Sequence, residues 1–259
     1  MMKNASSTML FKLALVIPIL ANPALAAEEQ FTQQQDAEEV SQPQANVAML
    51  DSRRLPVYKP PLRGAPASRV GGASRSTADG MLTLSALAPD HPGLTISKQP
   101  TVYWYLSKTV ATPLEFTLID DQAIHPLLEA RLGAPTKPGI QGLRLSDYPI
   151  QLESGMEYQW FIALVPDPEQ RAHDILAGGV IQSIEPPATL AARLNRADQQ
   201  ALPYLYAEAG LWYDAITAIS ALIEAHPGDR VLREQRAALL EQVGLSAAAD
   251  YDKGIAAEK

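Results

Sequence analysis

The sequence predicts an α+β fold in which a β region precedes an α-helical region, and three observations support this order. Between residues 81 and 185, apolar residues recur at every second position in short runs, as in strands buried on one face. Turn residues separate these runs. After Pro186-Pro187 the apolar spacing changes to three and four residues, which is typical of amphipathic helices.

Residues 1–26 are predicted to be a Sec-type signal peptide. Lys3 is followed by an apolar run from Met9 to Leu20 that only Lys12 and Pro18 interrupt, and Ala24-Leu25-Ala26 has the small-x-small form of a cleavage site. The run is shorter than the roughly 20 apolar residues of a membrane span, so no transmembrane anchor is expected after cleavage. The chain has no cysteine, which excludes a lipoprotein anchor and disulfides. We therefore expect a periplasmic or secreted protein.

Residues 27–80 are predicted to be a disordered leader followed by a linker. The stretch from Glu28 to Gln44 is rich in Gln, Glu and Ala, and the stretch from Leu55 to Gly80 is broken by Pro and Gly. The linker is basic, with no acidic residue between Asp51 and Asp79. Its charges either keep a linker solvated or form an arm that contacts a partner. For the second interpretation, the candidate interaction residues are Arg63, Arg69 and Arg75.

Residues 81–185 are predicted to form an antiparallel β-sandwich of seven or eight short strands. The strongest strand is Tyr158–Val165, with Tyr158, Trp160, Ile162 and Leu164 on one buried face. The strand Pro100–Trp104 is similar to the one that carries the core tryptophan of immunoglobulin or fibronectin-type domains. The pattern from Leu152 to Trp160 is similar to their tyrosine corner.

Residues 186–245 are predicted to be a small helical region, and residues 246–259 a flexible tail. The clearest helix carries an apolar stripe that begins at Trp212 and ends before Pro227. Asp229 is expected to cap the next helix and Gly244 to end it. The spacing in Ala207–Ala215 resembles a tetratricopeptide unit, although one unit is too short for an independent solenoid. The helices must then pack against the sandwich, which we favour, or against a partner.

Four motifs in a fixed order are similar to one bacterial family. They are Arg63-Gly64-Ala65-Pro66-x-x-Arg69-Val70-Gly71-Gly72, Pro100–Leu106, Asp167-Pro168-x-x-Arg171-x-x-Asp174 and Tyr206–Ala215. Together they resemble the family called domain of unknown function 928, over about Arg63 to Leu245. The resemblance implies export and this architecture, but it implies no activity.

The sequence contains no motif typical of an enzyme, so no catalytic, cofactor or metal site is predicted. It has no Gly-x-Ser-x-Gly elbow, no His-Glu-x-x-His pair and no phosphate-binding glycine loop. The best polar cluster is the loop that holds Asp167, Arg171 and Asp174, with Glu169 and His173 between them. One interpretation is a site that binds a cation or transfers protons. The other, structural interpretation, which we favour, is a loop held by an Arg171–carboxylate pair in which Asp167 accepts hydrogen bonds from turn amides.

The function predicted from the sequence is a non-catalytic protein-interaction or assembly module of the cell envelope. The alternative is a carbohydrate- or surface-polymer-binding domain that uses the sheet aromatics Tyr103 and Tyr105, unless these lie under the helices. The net charge of −8 disfavours nucleic acid as a partner. We expect another envelope or secreted protein as partner, or a glycan.

Overall fold

The computed structural model describes residues 54–61, 69, 73–77, 80–120 and 125–257. The predicted signal peptide and the predicted leader lie outside these residues, as do Arg63 and the side chain of Arg75. The described chain has mixed α and β content: two sheets are followed by a set of helices, and no closed barrel forms within the described residues.

The first sheet has four antiparallel strands in the order β1-β2-β4-β7. These strands are β1 (Ala73–Thr77), β2 (Gly80–Ala86), β4 (Thr101–Leu106) and β7 (Gly139–Arg144). All six residues of β4 are buried, because one face of the sheet points into the β core and the other is covered by helices. This position of β4 decides where the predicted sheet aromatics lie.

The second sheet has five strands in the order β3-β9-β8-β5-β6. These are β3 (Gly93–Thr95), β5 (Leu114–Asp120), β6 (Leu128–Leu132), β8 (Glu157–Leu164) and β9 (Ile175–Ser183). Strand β3 runs parallel to β9, and the other pairs are antiparallel. The predicted inward face of β8 is confirmed, since Tyr158, Trp160, Ile162 and Leu164 are all buried.

Five α-helices follow the last described strand. They are α1 (Ala188–Leu194), α2 (Leu202–Glu208), α3 (Trp212–Ala225), α4 (Arg230–Gln242) and α5 (Ser246–Ala257). The carboxylate of Asp229 accepts hydrogen bonds from the amides of Val231 and Leu232, which confirms the predicted N-cap of α4. Gly244 ends this helix with a φ of 72°, as predicted for a C-terminal glycine.

Residues 246–259 are not a flexible tail over the part that the structure describes, because Ser246–Ala257 is a helix. Ala248 and Ala249 are buried, and small side chains allow α5 to approach its neighbours closely. Asp252 is fully buried and accepts two hydrogen bonds from the guanidinium of Arg236 on α4, each of 2.7 Å. This bidentate pair satisfies both charges and fixes α5 to α4.

The prediction of a linker from residue 27 to residue 80 is also wrong in its described parts. Ala73–Thr77 pairs with β2, so backbone hydrogen bonding to a neighbouring strand outweighs the weak strand propensity of this segment. Residues 54–61 lie against the helices, with Tyr58 buried. We call Arg54–Pro61 the docked segment.

The sheets and the helices share one hydrophobic core, and α3 joins them at a buried junction. The indole of Trp160 donates to the hydroxyl of Tyr213 at 2.9 Å, and that hydroxyl donates to the carbonyl of Val180 at 3.0 Å. The ring of Tyr213 needs Gly93, where a Cβ atom would lie 2.6 Å from the ring. The indole of Trp212 donates to the carbonyl of Leu87 at 2.8 Å. The helices therefore pack on the sheets through polar contacts as well as apolar ones.

None of the helices in residues 54–257 that the structure describes is both long enough and apolar enough to cross a bilayer.

Candidate interaction site

The docked segment lies against the helices, and the backbone groups of Arg54, Pro56 and Tyr58 are hydrogen-bonded to helix side chains. The side chain of Gln242 on α4 accepts from the amide of Tyr58 at 2.8 Å and donates to the carbonyl of Pro56 at 3.0 Å. The hydroxyl of Tyr204 on α2 donates to the carbonyl of Arg54 at 2.8 Å. Residues 54, 56 and 58 thus turn backbone groups toward the helices, as an extended peptide does.

We call this surface the helical groove. Its members contact the docked segment from α2, α3, α4, the connection between α2 and α3, and the connection between β2 and β3. They are His91, Tyr204, Ala207, Glu208, Gly210, Trp212 and Gln242. Ala207 contributes its carbonyl, which accepts from the amide of Lys59 at 3.0 Å. The groove therefore combines backbone recognition with contacts to particular side chains.

Tyr58 is the anchor of the docked segment. Its ring meets Trp212 edge-on at a centroid distance of 5.0 Å and stacks on His91 at 5.9 Å. Only 7% of the residue is exposed, and burial, followed by the nearby charge of Asp90, raises the pKa of its hydroxyl. A buried aromatic ring held between two other rings makes the largest apolar contribution to a peptide contact of this size.

Lys59 adds a charged contact at the edge of the groove. Its ammonium lies 3.1 Å from the carboxylate of Glu208, which Arg193 approaches at 3.3 Å from the other side. These hydrogen bonds, that of Lys59 first, lower the pKa of Glu208. All three side chains are about half exposed, so this contact adds little to the free energy of docking. Its main effect is a preference for a basic residue at the position of Lys59.

Gly210 allows the backbone of the docked segment to approach. Its φ is 76°, a left-handed conformation that side chains disfavour, and a Cβ atom there would lie 2.7 Å from the carbonyl oxygen of Lys59. This glycine therefore keeps the groove open beside the main chain of the segment.

The predicted interaction arginines are not brought together as one free surface. Arg69 is partly buried, and its guanidinium donates to the carbonyls of Ala88 and Val243 at 3.0 and 3.1 Å. It therefore ties the end of α4 to the strand region and is not free for a partner. Arg75 lies in β1, where its backbone pairs with Leu82, and Arg63 lies outside the described residues.

Tyr103 and Tyr105, the candidate interaction tyrosines, are buried under the helices, which is the alternative that the sequence left open for them. Helices cover this face of β4. The ring of Tyr105 packs on Tyr251 of α5 at 5.6 Å, and the pKa of Tyr103 is raised by burial and then by Glu224 of α3. Neither ring presents an open face on which a sugar could stack.

A polar cleft remains beside Tyr103, with a volume of about 360 Å³. Its rim carries Arg144 and Glu224, which form an exposed ion pair at 3.3 Å. The ring of Tyr103 lies over Gly142 on the neighbouring strand, where a Cβ atom would meet it at 2.8 Å. The other lining residues are Thr101, Leu132, Leu143, Asp147 and Tyr148.

The predicted polar loop is occupied by internal contacts. The guanidinium of Arg171 lies 2.8 Å from Asp174 and 2.8 Å from Glu115 on β5. Asp167 accepts from the amide of Glu169 at 3.0 Å. The contacts follow the structural interpretation of this loop. Among the described residues, no group of three or more His, Cys, Asp or Glu side chains is arranged to hold a metal ion.

The sequence interpretation missed the residues that form the groove. Gln242, Glu208 and Tyr58 stand far apart in the chain, and no local pattern connects them. The alternating burial of Leu55, Pro56, Val57 and Tyr58 is visible only in the structure, because all four residues are apolar. The signal in the sequence was that Pro56, Pro60 and Pro61 favour an extended backbone, which is compatible with an extended bound segment.

Comparison with known proteins gives a family but no described activity. A search of curated proteins finds no match. Among solved structures, a multi-domain immunophilin from Arabidopsis thaliana is 10% identical over 75% of this chain and 100% of its own, with a TM-score of 0.18. That score is too low to support a shared fold. Residues 70–252 match the family described as Domain of Unknown Function (DUF928). The match covers well over half of the sequence, and the chain therefore belongs to the DUF928 family.

Proposed function

We propose that this protein is an exported, non-catalytic protein-interaction module whose helical groove binds an extended peptide segment. The observation that carries the proposal is the pair of hydrogen bonds between Gln242 and the backbone of Pro56 and Tyr58. A side-chain amide that pairs with both a backbone carbonyl and a backbone amide recognises the backbone of an extended chain, whatever its side chains are.

Export is supported by the sequence of residues 1–26, with its apolar run and its Ala24-Leu25-Ala26 site. Immunoglobulin-like sheets and tetratricopeptide-like helices stay part of this proposal as interpretations of the two regions. Expression of the full chain in a bacterium tests export. The product in the periplasmic fraction or medium should begin at Ala27 or Glu28, and a product that keeps Met1 would contradict export.

Peptide binding is tested with a variant that weakens the internal occupant. In the full chain with Tyr58→Ala, the groove loses the anchor of its own segment, so a fluorescein-labelled peptide of residues 54–61 should bind and raise the anisotropy. The same peptide with alanine in place of Tyr58 is the matched control. Removal of both Gln242 hydrogen bonds by Gln242→Ala should weaken binding by roughly tenfold, since the two bonds together contribute about 1.4 kcal/mol, at roughly 0.7 kcal/mol each.

The outcomes are distinct. Saturable binding that depends on Tyr58 of the peptide and on Gln242 of the protein supports the proposal. A folded Tyr58→Ala variant that binds neither peptide contradicts it.

A second candidate function, carbohydrate binding, is supported by one observation: the polar cleft brings Tyr103, Arg144 and Glu224 to one opening. Polar side chains around an aromatic edge can bind sugar hydroxyls. A glycan array compared between the wild type and Glu224→Ala tests this function. Binding that the substitution abolishes would favour it over the peptide groove.

A further inference from the structure

We propose that the helical groove also receives the docked segment of a second copy of this chain, so that two copies associate by exchanging residues 54–61. This inference rests on the proposed function, because it requires that the groove bind the segment as a separable peptide.

The contacts of the docked segment are the first argument. The contacts that the structure gives for Arg54, Pro56, Tyr58 and Lys59 are with His91, which lies 33 residues after Tyr58, or with residues of the helical region. The same hydrogen bonds, ring contacts and ion pair therefore form whether the segment comes from the same chain or from another. Each copy carries one groove and one matching ligand, which is the requirement for exchange.

The energetics of the contact are the second argument. The segment is held by backbone hydrogen bonds, one buried ring and an ion pair about half exposed. Elements with few buried apolar contacts open at lower free energy than the core. A tethered segment has an effective concentration in the millimolar range. The closed monomer therefore dominates in dilute solution, and exchange becomes visible when the internal contact is weakened.

The outward face of the segment is the third argument. Leu55 and Val57 are 50% and 58% exposed, and they belong to the few large apolar side chains exposed among the described residues. They alternate with the buried Pro56 and Tyr58. An exposed apolar stripe on a segment that already recognises a protein surface is a region that association of two copies would cover.

Complementation between two full-length variants tests the exchange. The first variant, Tyr58→Ala, has an intact groove and a defective segment. The second, Gln242→Ala with Glu208→Lys, has an intact segment and a defective groove. Gln242 and Glu208 are exposed, so the second variant should fold. Each variant alone should be monomeric in size-exclusion chromatography with light scattering. A mixture should form a 1:1 heterodimer at concentrations on the order of 100 μM. This is below the millimolar effective concentration of a tethered segment, so an intact chain remains a closed monomer under the same conditions.

The matched control adds Tyr58→Ala to the second variant. The control mixture then contains no intact segment and should stay monomeric. A heterodimer that forms equally in the control mixture would show association through another surface and overturn the proposal. No heterodimer in the first mixture also overturns it. If the Tyr58→Ala variant forms no heterodimer but binds the free 54–61 peptide, the proposed groove function stands and only the exchange is contradicted. If it binds neither the second variant nor the free peptide, the exchange and the groove function are both contradicted.

A charge exchange replaces the first pair if Tyr58→Ala does not fold. Lys59→Glu and Glu208→Lys each place like charges together within one chain, and a mixture restores opposite charges only between chains. Both sites are about half exposed, so folding should be retained. The mixture should contain several-fold more dimer than either variant alone, and equal amounts would overturn the proposal.

Discussion

The junction of α3 with the sheets and the docked segment are both contacts between the helices and an extended part of the chain, but they differ in burial. At the junction, Trp160 and Tyr213 are almost completely buried, and their polar atoms bond to each other and to the backbone. At the docked segment, the side chains of Pro56 and Tyr58 are buried, and the remaining side-chain contacts are partly exposed. The first contact is part of the permanent core, whereas the second has the composition of a reversible interface.

The largest expected effect lies at the junction. Tyr213→Phe removes the hydroxyl that accepts from Trp160 and donates to Val180, and so leaves the buried indole N–H of Trp160 without this partner and the partly buried carbonyl of Val180 with one hydrogen bond fewer. A buried donor without a partner costs about 1–3 kcal/mol and a lost hydrogen bond about 1 kcal/mol, so the free energy of unfolding should fall by about 3 kcal/mol. Urea denaturation monitored by tryptophan fluorescence measures this loss, and Tyr204→Phe at the exposed groove is the control. A loss smaller than that of the control would contradict the comparison.

A second effect at the junction depends on pH. Asp214 accepts from the amide of Ile96 at 3.1 Å, and burial raises the pKa of this carboxyl to about 6 despite that bond. The folded state therefore binds the proton more tightly than the unfolded state, whose pKa is near 4. The contribution of Asp214 to stability is then greatest below pH 4 and is lost as the pH rises to 6.

Asp214→Asn should remove this pH dependence, because the amide oxygen can still accept from Ile96 but does not ionise. The stability of the wild type relative to the variant should decrease by about 2 kcal/mol between pH 4 and pH 6, at roughly 1.4 kcal/mol per pKa unit. Denaturant titrations of both proteins at several pH values measure the difference. Parallel stability curves across this range would show that the carboxyl is not perturbed.

The same two regions show how far the sequence could predict the structure. The strands and α3 could be predicted because the spacing of apolar residues within each element is visible locally in the sequence, as in the alternation of β8 and the stripe that begins at Trp212. Helix α5 was missed because its buried polar residue, Asp252, is stable only through Arg236 of another helix. A buried carboxylate cannot be distinguished from an exposed one by its neighbours in sequence.

The candidate site was harder to predict than the fold. Prolines 56, 60 and 61 indicated a linker, and they do exclude a helix there. The ordering of this segment depends on Gln242, which lies 184 residues after Tyr58, and on a groove assembled from three helices. Conversely, the sequence around Tyr103 and Tyr105 is compatible with a strand that has one exposed face. These two residues are buried only because α3 and α5 cover that face.

At the groove, Gln242→Ala should cost less than the change at the junction. The substitution removes two hydrogen bonds to the docked segment, and the freed backbone groups can bond to water once the segment opens. The global free energy of unfolding should fall by at most about 1.4 kcal/mol, the combined contribution of the two bonds. Amide hydrogen exchange at Tyr58, by contrast, should accelerate by roughly tenfold, since local opening becomes easier. Unchanged exchange at Tyr58 would show that Gln242 does not hold the segment.

The smallest expected effect belongs to Glu208, and its sign with pH is opposite to that of Asp214. Lys59 and Arg193 lower the pKa of Glu208, so its contribution is present above the pKa of the unfolded state and is lost as the pH falls through the folded value. Because the side chains are exposed, Glu208→Gln should change stability by only about 0–1 kcal/mol at pH 7, and high salt should reduce the difference further. Denaturation at low and high salt measures this change. An effect comparable to that of Tyr213→Phe would mean that the segment is as permanently packed as the junction, and the distinction between core contact and reversible interface would be lost.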